Sequence, residues 1–315
     1  MRFVTYSIGM RTRFRGIDVR EGMLVEGPAG WGEFSPFAEY EDAVSVSWLR
    51  AAIESAQQPW PTPLREHIPV NCTIPAVGPQ DAARLVRSSS GCRTAKVKVA
   101  EPGQGPSDDL ARVEAVRDAL GPEGSVRVDA NGAWSVDEAV RCIKSLSRFE
   151  LEYVEQPCAT VDGLARVRRR VDVPIAADES IRVAEDPLRV KRLDAADIAV
   201  LKVQPLGGVR ACLRIAELIG LPVVVSSAVE TSVGIAAGVA LAAALPELPY
   251  ACGLATVQLL RRDVVTDSFL PVNGQLSVRR PEPDLDAIQA SAADARTAAA
   301  WQDRLARVQT LLGAA

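Results

Sequence analysis

Five short apolar runs, each ending in ionisable side chains, recur through the middle of this 315-residue chain. They are Thr94-Ala-Lys96-Val-Lys98, Val126-Arg127-Val-Asp129-Ala-Asn131, Glu152-Tyr-Val-Glu155-Gln-Pro157, Ala177-Asp178-Glu179-Ser180 and Val200-Leu-Lys202. Asp129, Glu155, Asp178 and Lys202 follow one another at intervals of 26, 23 and 24 residues. A strand, a helix and two turns take up that length, so the spacing reads as successive βα units. Parallel strands closed into a barrel bring their C-terminal ends to one mouth, where the catalytic groups of such barrels gather.

The expected architecture is therefore α/β: a (β/α) barrel of modified TIM type, with about eight strands and seven helices, joined to a small α+β capping domain. Strands are expected near 68–74, 94–99, 125–130, 151–156, 173–178, 197–203, 222–227 and 250–254. Helices are expected near 79–89, 107–120, 135–147, 160–170, 186–193, 208–219 and 230–245. Residues 1–66 form the first part of the capping domain, 67–256 the barrel, and 257–315 a segment returning to the cap. In the first part, residues 3 to 37 alternate apolar and polar, with turns at Arg15-Gly16, Glu21-Gly22 and Gly27 to Gly30. A helix over 40–57 follows, with Ala43, Val46, Leu49 and Ile53 on one face. Phe269 to Val278 reads as a hairpin turning at Asn273-Gly274, and 284–312 as a last helix. A doubly wound open sheet is the main rival. It usually carries a Gly-rich phosphate turn after its first strand, which Asn71 to Gly78 lacks.

Composition removes other classes. A net charge of −4 gives no footprint for nucleic acid or an anionic membrane. The longest apolar run, Val233 to Leu245, is shorter than a membrane span and rich in Ala and Gly, so it reads as a buried helix. Met1-Arg-Phe-Val-Thr-Tyr shows no secretory pattern, and six scattered cysteines form no C-x-x-C pair, so a cytoplasmic protein with reduced thiols is expected. His67, the only histidine, lies in the Pro-rich stretch Pro59 to Pro69 and reads as a solvated loop residue, which argues against a Ser-His-Asp triad. A single histidine excludes any zinc or iron site that needs two. Arginine supplies positive charge almost everywhere. The five lysines are Lys96, Lys98, Lys144, Lys191 and Lys202, and three of them sit at strand positions. A partly buried lysine can give up its proton near neutrality, which arginine cannot.

Asp129, Glu155 and Asp178, from three consecutive strands, offer oxygen ligands with no His or Cys beside them. That selects a hard cation, Mg²⁺ with Mn²⁺ as substitute, leaving positions for a substrate carboxylate. Lys96 and Lys98 lie two apart and share a strand face, while Lys202 lies across the pocket. Ammonium groups crowded near a divalent cation should lower a lysine pKa toward neutrality. A neutral lysine could then take a proton next to a carboxylate, the cation balancing the enediolate.

These motifs, in this order and spacing over residues 94–234, resemble the enolase superfamily in its muconate lactonising subgroup. The resemblance implies Lys98 as general base, Lys202 as its partner on the other substrate face, and Asp129, Glu155 and Asp178 as metal ligands. It also chooses Asp178 over Glu179, which alternation would send to the opposite face. Lys96 would tune Lys98 or meet the substrate carboxylate, with Asn131 beside it. Val225-Ser226-Ser227-Ala-Val-Glu230-Thr-Ser-Val-Gly234 and Cys252-Gly-Leu-Ala-Thr256 are similar to segments of the subgroup's synthases that dehydrate a succinyl-hydroxycyclohexadiene carboxylate on the route to menaquinone. Ser226 and Ser227 either receive a substrate carboxylate or cap the next helix. Arg127 either meets a carboxylate or makes a structural ion pair. The D-x-D of the dipeptide epimerases is absent. A small-molecule carboxylate is thus the expected partner. An N-succinylamino acid racemase using Lys98 and Lys202 as two bases is the runner-up, and a catalytically silent binding barrel the remote alternative.

Overall fold

The computed structural model describes residues 1–182 and 186–314. Strands β1 (Arg2–Phe14) and β2 (Ile17–Gly27) pair antiparallel across Arg15-Gly16, whose φ values are +52° and +77°. Both central residues with positive φ make the turn whose twist suits a hairpin. Strand β3 (Gly30–Phe34) pairs with β2. The turn expected at Glu21-Gly22 does not form, because β2 runs straight through it. Gly22 serves packing instead: a Cβ there would lie 2.5 Å from Ser35 Cβ and 2.7 Å from Tyr6 Oη.

Helix α1 (Asp42–Gln57) lies on this sheet through Ser45, Trp48, Leu49, Ala52, Ser55 and Ala56. Of the expected face Ala43, Val46, Leu49 and Ile53, only Leu49 is buried. Small side chains take the contact because glycine lets the sheet meet the helix backbone. A Cβ on Gly32 would sit 2.1 Å from the Ala52 carbonyl oxygen.

The chain then enters the barrel. Strands β4 (His67–Pro69) and β5 (Cys72–Ile74) share the segment expected to be one strand. Helix α2 (Pro79–Arg87), β6 (Thr94–Lys98), α3 (Pro106–Leu120), β7 (Ser125–Asp129), α4 (Val136–Leu146), β8 (Leu151–Glu155), α5 (Val161–Arg168) and β9 (Ile175–Ala177) follow. Then come α6 (Glu179–Arg182), α7 (Arg189–Arg192), β10 (Ile198–Lys202), α8 (Val209–Ile219), β11 (Val223–Ser226) and α9 (Ser232–Ala244). The helix expected over 186–193 is thus reduced to the single turn of α7. Among the described residues, β5 to β11 form one parallel sheet of seven strands in chain order. The eighth stave is a pair of bridges, Val70 with Cys252 and Ser226 with Gly253, which closes the sheet on itself. Helix α9 is buried along nearly its whole length, and Gly238 lets Leu254 within 2.6 Å of where a Cβ would be. No helix among the described residues is long and apolar enough to cross a membrane.

The hairpin expected over 269–278 turns at Asn273-Gly274 (φ +51° and +73°). Its strand β12 (Gln275–Ser277) pairs with β4 at the base of the barrel rather than with the N-terminal sheet. The divided first strand follows from this: residues 67–69 serve β12 and 72–74 serve the barrel. The last helix breaks into α10 (Leu285–Ala290) and α11 (Ala295–Ala314), and α11 returns to the N-terminal layer, where Trp301 packs edge-on against Phe34 at 5.9 Å.

Two glycine substitutions separate packing from conformation. Gly32→Ala should lower unfolding free energy in urea by about 3 kcal/mol through overpacking. Gly16→Ala, with nothing within 4 Å of the added Cβ, should cost about 1 kcal/mol through its positive φ alone. Equal losses would contradict this account of α1 packing.

Candidate active site

In-register pairing sets the site. Lys98 is opposite Asp129 on β7, and Asp129 is opposite Glu155 on β8. Three strand ends therefore present ionisable groups at one height, and Asp178 follows β9 directly. Asp129, Glu155 and Asp178 are all fully buried. Lys96 Nζ donates to both Glu155 oxygens at 3.0 Å and lies 3.6 Å from Asp129 Oδ2. Lys98 Nζ donates to Asp129 Oδ2 at 2.5 Å and Asn131 Oδ1 at 2.7 Å. Across the mouth, Lys202 Nζ donates to Asp178 Oδ2 at 2.5 Å.

The charges shift one another. For Lys96, burial opposes its charge, but Glu155 and Asp129 outweigh that and hold the ammonium above the ordinary lysine value. Burial raises Asp129, yet Lys98 and Lys96 bring it well below the usual carboxylate range. Asp178 falls to about 2, because Arg182 and Lys202 outweigh its burial. Glu155 rises to about 7, pushed by burial and by Asp129 against the pull of Lys96.

Several neighbours escaped the sequence reading. Arg182 Nε donates to Asp178 Oδ1 at 2.9 Å, and its Nη2 to Glu179 Oε1 at 2.6 Å. Glu179 also accepts from Asn131 Nδ2 at 3.2 Å, so it turns toward the mouth rather than away from it. Strand alternation does not govern it, because β9 ends at Ala177 and Glu179 opens a helix. Gln156, with φ +41°, accepts from the Asp178 and Ser180 amides and fixes the turn between them. The left-handed backbone at Gln156 and Asn131 is the local mark of these strand-end turns.

The pocket above these groups is lined by Phe14, Arg15 and Phe37 from the N-terminal layer. From the barrel come Thr73, Lys96, Lys98, Asn131 and Lys202, the wall Ser226 to Val229, and Gly253 with Thr256. It encloses only about 30 Å³. A larger surface groove of about 570 Å³ beside the 100–106 loop contains none of the expected site residues. Ser227 Oγ donates to the Gly253 carbonyl at 2.8 Å. Thr231, not either serine, caps α9. Arg127 does not line the pocket. It pairs with Glu152, donates to the Ala251 carbonyl at 2.7 Å, and lies over the Tyr153 ring. Two residues before Asp129 on the same strand face, it sits one layer lower in the barrel.

Asp129, Glu155 and Asp178 could hold a hard divalent cation, since they offer only oxygen and sit side by side. Here each carboxylate is turned onto a cationic side chain, and among the described residues no group of three or more acids, His or Cys comes within ligating reach. The donor chemistry fits the ion; ligation requires those oxygens to leave their ammonium partners.

Behind the wall, Glu230 is buried and accepts from the Ala228 amide at 2.6 Å. Burial and Glu33 push its carboxyl up from 4.5 to about 7, against the pull of Arg20. The folded state thus holds this proton more tightly than the unfolded chain does. The resulting stability is full below pH 4.5 and is lost as pH rises toward 7. Glu230→Gln should therefore match the parent in urea at pH 4.5 and exceed it by roughly 3 kcal/mol at pH 8. A difference that does not change between the two pH values would refute this.

Residues 80–283 match the family described as Enolase C-terminal domain-like, and residues 5–56 that described as Enolase N-terminal domain-like. The o-succinylbenzoate synthase of Thermobifida fusca is 68% identical over 301 residues, 96% of this chain and 94% of that protein. That of Mycolicibacterium smegmatis is 54% identical over 99% of this chain and 96% of its own length. Among solved structures, muconate lactonizing enzyme from Pseudomonas fluorescens superposes with a TM-score of 0.81 at 23% identity, covering 93% of this chain and 98% of that one. N-succinyl Arg/Lys racemase from Bacillus cereus does so at 0.77 and 20%, covering 92% and 96%. The chain belongs to the enolase superfamily.

Proposed function

We propose that this chain is an o-succinylbenzoate synthase, a carbon–oxygen lyase that dehydrates succinyl-hydroxycyclohexadiene carboxylate in menaquinone biosynthesis. The observation that carries the reading is a row of three buried carboxylates paired with lysines, of which Lys98 and Lys202 line the pocket directly above them. Near full-length similarity to two proteins of that name supports the choice of reaction. The racemase neighbour is only 20% identical and supports the fold alone.

In this reading Lys98, once deprotonated, takes the proton from the carbon next to the ring carboxylate. Lys202 stays cationic on the other face and balances the charge that develops on the carboxylate oxygens. Lys98 then returns its proton to the departing hydroxyl, so the C–H and C–O bonds break on the same side and water leaves. The ring becomes aromatic, which makes the step downhill. Lys96, held as an ammonium by Glu155, adds fixed positive charge beside the base. Asn131 orients Lys98 through its side-chain oxygen. Ser226 and Ser227 contribute pocket wall next to the substrate. A divalent ion held by Asp129, Glu155 and Asp178, Mg²⁺ with Mn²⁺ as substitute, would supply electrostatic stabilisation of the enediolate. Six free cysteines, five of them buried, fit a reducing cytoplasm.

Purified protein with Mg²⁺ should bleach the ultraviolet band of the cyclohexadiene substrate. Chelator should abolish the loss, and Lys98→Ala should slow it by at least about 10³-fold. Persistence of the band with wild-type protein would remove the dehydratase reading. Calorimetric titration with Mg²⁺ or Mn²⁺ checks the ligands without turnover. Heat of binding should be present in the parent and lost in Asp129→Ala, and equal heats would sink the ligand assignment.

A further inference from the structure

The pocket wall between β11 and α9 is strained, and a residue from the N-terminal sheet holds it. Val229 has φ +62°, a left-handed conformation that a β-branched side chain rarely adopts. It lines the pocket with Ser226, Ser227 and Ala228. Arg20, on β2, is only 2% exposed. Its Nε donates to the Val229 carbonyl at 3.0 Å and its Nη2 to the Ala228 carbonyl at 3.2 Å. The same Nη2 donates to the Ser35 carbonyl, and to Ser35 Oγ at 2.9 Å. The guanidinium lies 4.5 Å from the centre of the Phe37 ring, which also lines the pocket. At the far end of the wall, Glu33 accepts from the Thr231 and Gly234 amides, both at 3.1 Å. The strained peptide is therefore bracketed by two buried side chains of the N-terminal sheet.

We propose that Arg20 is a positioning residue for the reaction: by clamping the Ala228 and Val229 carbonyls, it holds the strained backbone that sets Ser226, Ser227 and Val229 against the substrate. The pocket wall is then complete only when the N-terminal sheet is docked on the barrel. The proposal rests on the dehydratase reading for its substrate. The alternative role for Arg20 is to neutralise Glu33 and Glu230. A lysine would also do that, but a lysine cannot reproduce the planar fork across two carbonyls and Ser35.

The test compares wild type, Arg20→Lys, Val229→Gly, Val229→Asn, and Arg20→Lys combined with either substitution at 229. Each is assayed for diene consumption, for thermal melting, and for amide hydrogen exchange over residues 226–234. Arg20→Lys should melt cooperatively, raise KM about tenfold and change kcat by less than about threefold. Glycine or asparagine at 229 takes a positive φ without the clamp, so Arg20→Lys should raise KM far less when measured against Val229→Gly or Val229→Asn alone, a comparison that cancels the loss of the Val229 side chain from the pocket. Exchange over 226–231 should quicken in Arg20→Lys and not elsewhere. Should that variant not fold, Arg20→Gln paired with Glu230→Gln removes the cation together with an acid it faces, and should raise KM in the same way. A wild-type KM in either variant, a KM rise as large against the Val229 single variants as against wild type, or unchanged exchange over 226–231 overturns the clamp. If wild type leaves the diene untouched, the dehydratase reading fails instead. The exchange pattern still decides the clamp, because it needs no substrate.

Discussion

Everything at the barrel mouth depends on pairing buried charges. Asp129, Glu155, Asp178 and Glu179 meet Lys96, Lys98, Lys202 and Arg182 within hydrogen-bond distance. Each ion has left water, and attraction to its partners must offset that cost. Pairing of this kind tolerates little error in height. A slip of one residue between β6 and β7 would turn Lys98 or Asp129 to the opposite face of its strand. The register of Lys98 on Asp129 and of Asp129 on Glu155 is thus a condition of folding as well as of chemistry. The same balance also constrains a bound cation: oxygen given to a metal is oxygen withdrawn from an ammonium. Were a cation held there, its binding and the release of a lysine would be linked by that geometry.

The barrel interior is layered beneath this level. Arg127, Tyr153 and Tyr250 form a floor in which the guanidinium stacks on both rings and pairs with Glu152. Two residues along a strand move a side chain by about 7 Å. That distance takes Arg127 out of reach of a ligand lying on Asp129.

How legible each part was follows from how local its cause is. The five strand-end motifs were readable because alternation fixes which residues share a face, and a charge after an apolar run marks where a strand stops. The three acids and three lysines accordingly meet in one place. Glu179 was misread by the same rule, which lapses where the strand ends one residue early. The split between β4 and β5 was hidden, because the pairing of β4 with residues 275–277 depends on a partner two hundred residues away. Nothing near Arg20, Glu33 or Val229 announces the clamp. Arg20 reads as an ordinary polar position in an alternating strand, and the strain at Val229 exists only in the folded backbone. Arg15 was legible as a turn but not as a pocket residue, since the contact is made across the interface with the barrel.

The two sides of the lid are attached unequally. A space of about 30 Å³ admits one or two waters but no ring with two carboxylates. Substrate entry therefore requires something over the site to move. Arg20, Glu33 and Ser35 are buried and bonded to barrel groups, including Gln204 two residues beyond Lys202, so β2 and β3 are fastened there. The tip at Phe14 to Ile17 has weaker ties. Arg15 is partly exposed, donates to Tyr40 Oη at 3.0 Å, and lies 4.4 Å from the centre of the Phe37 ring. Partly solvated contacts of this kind cost far less to open than the buried fork of Arg20. Where the layer over the site must yield, the tip at Phe14 and Arg15 therefore gives at lower cost than the wall at Val229.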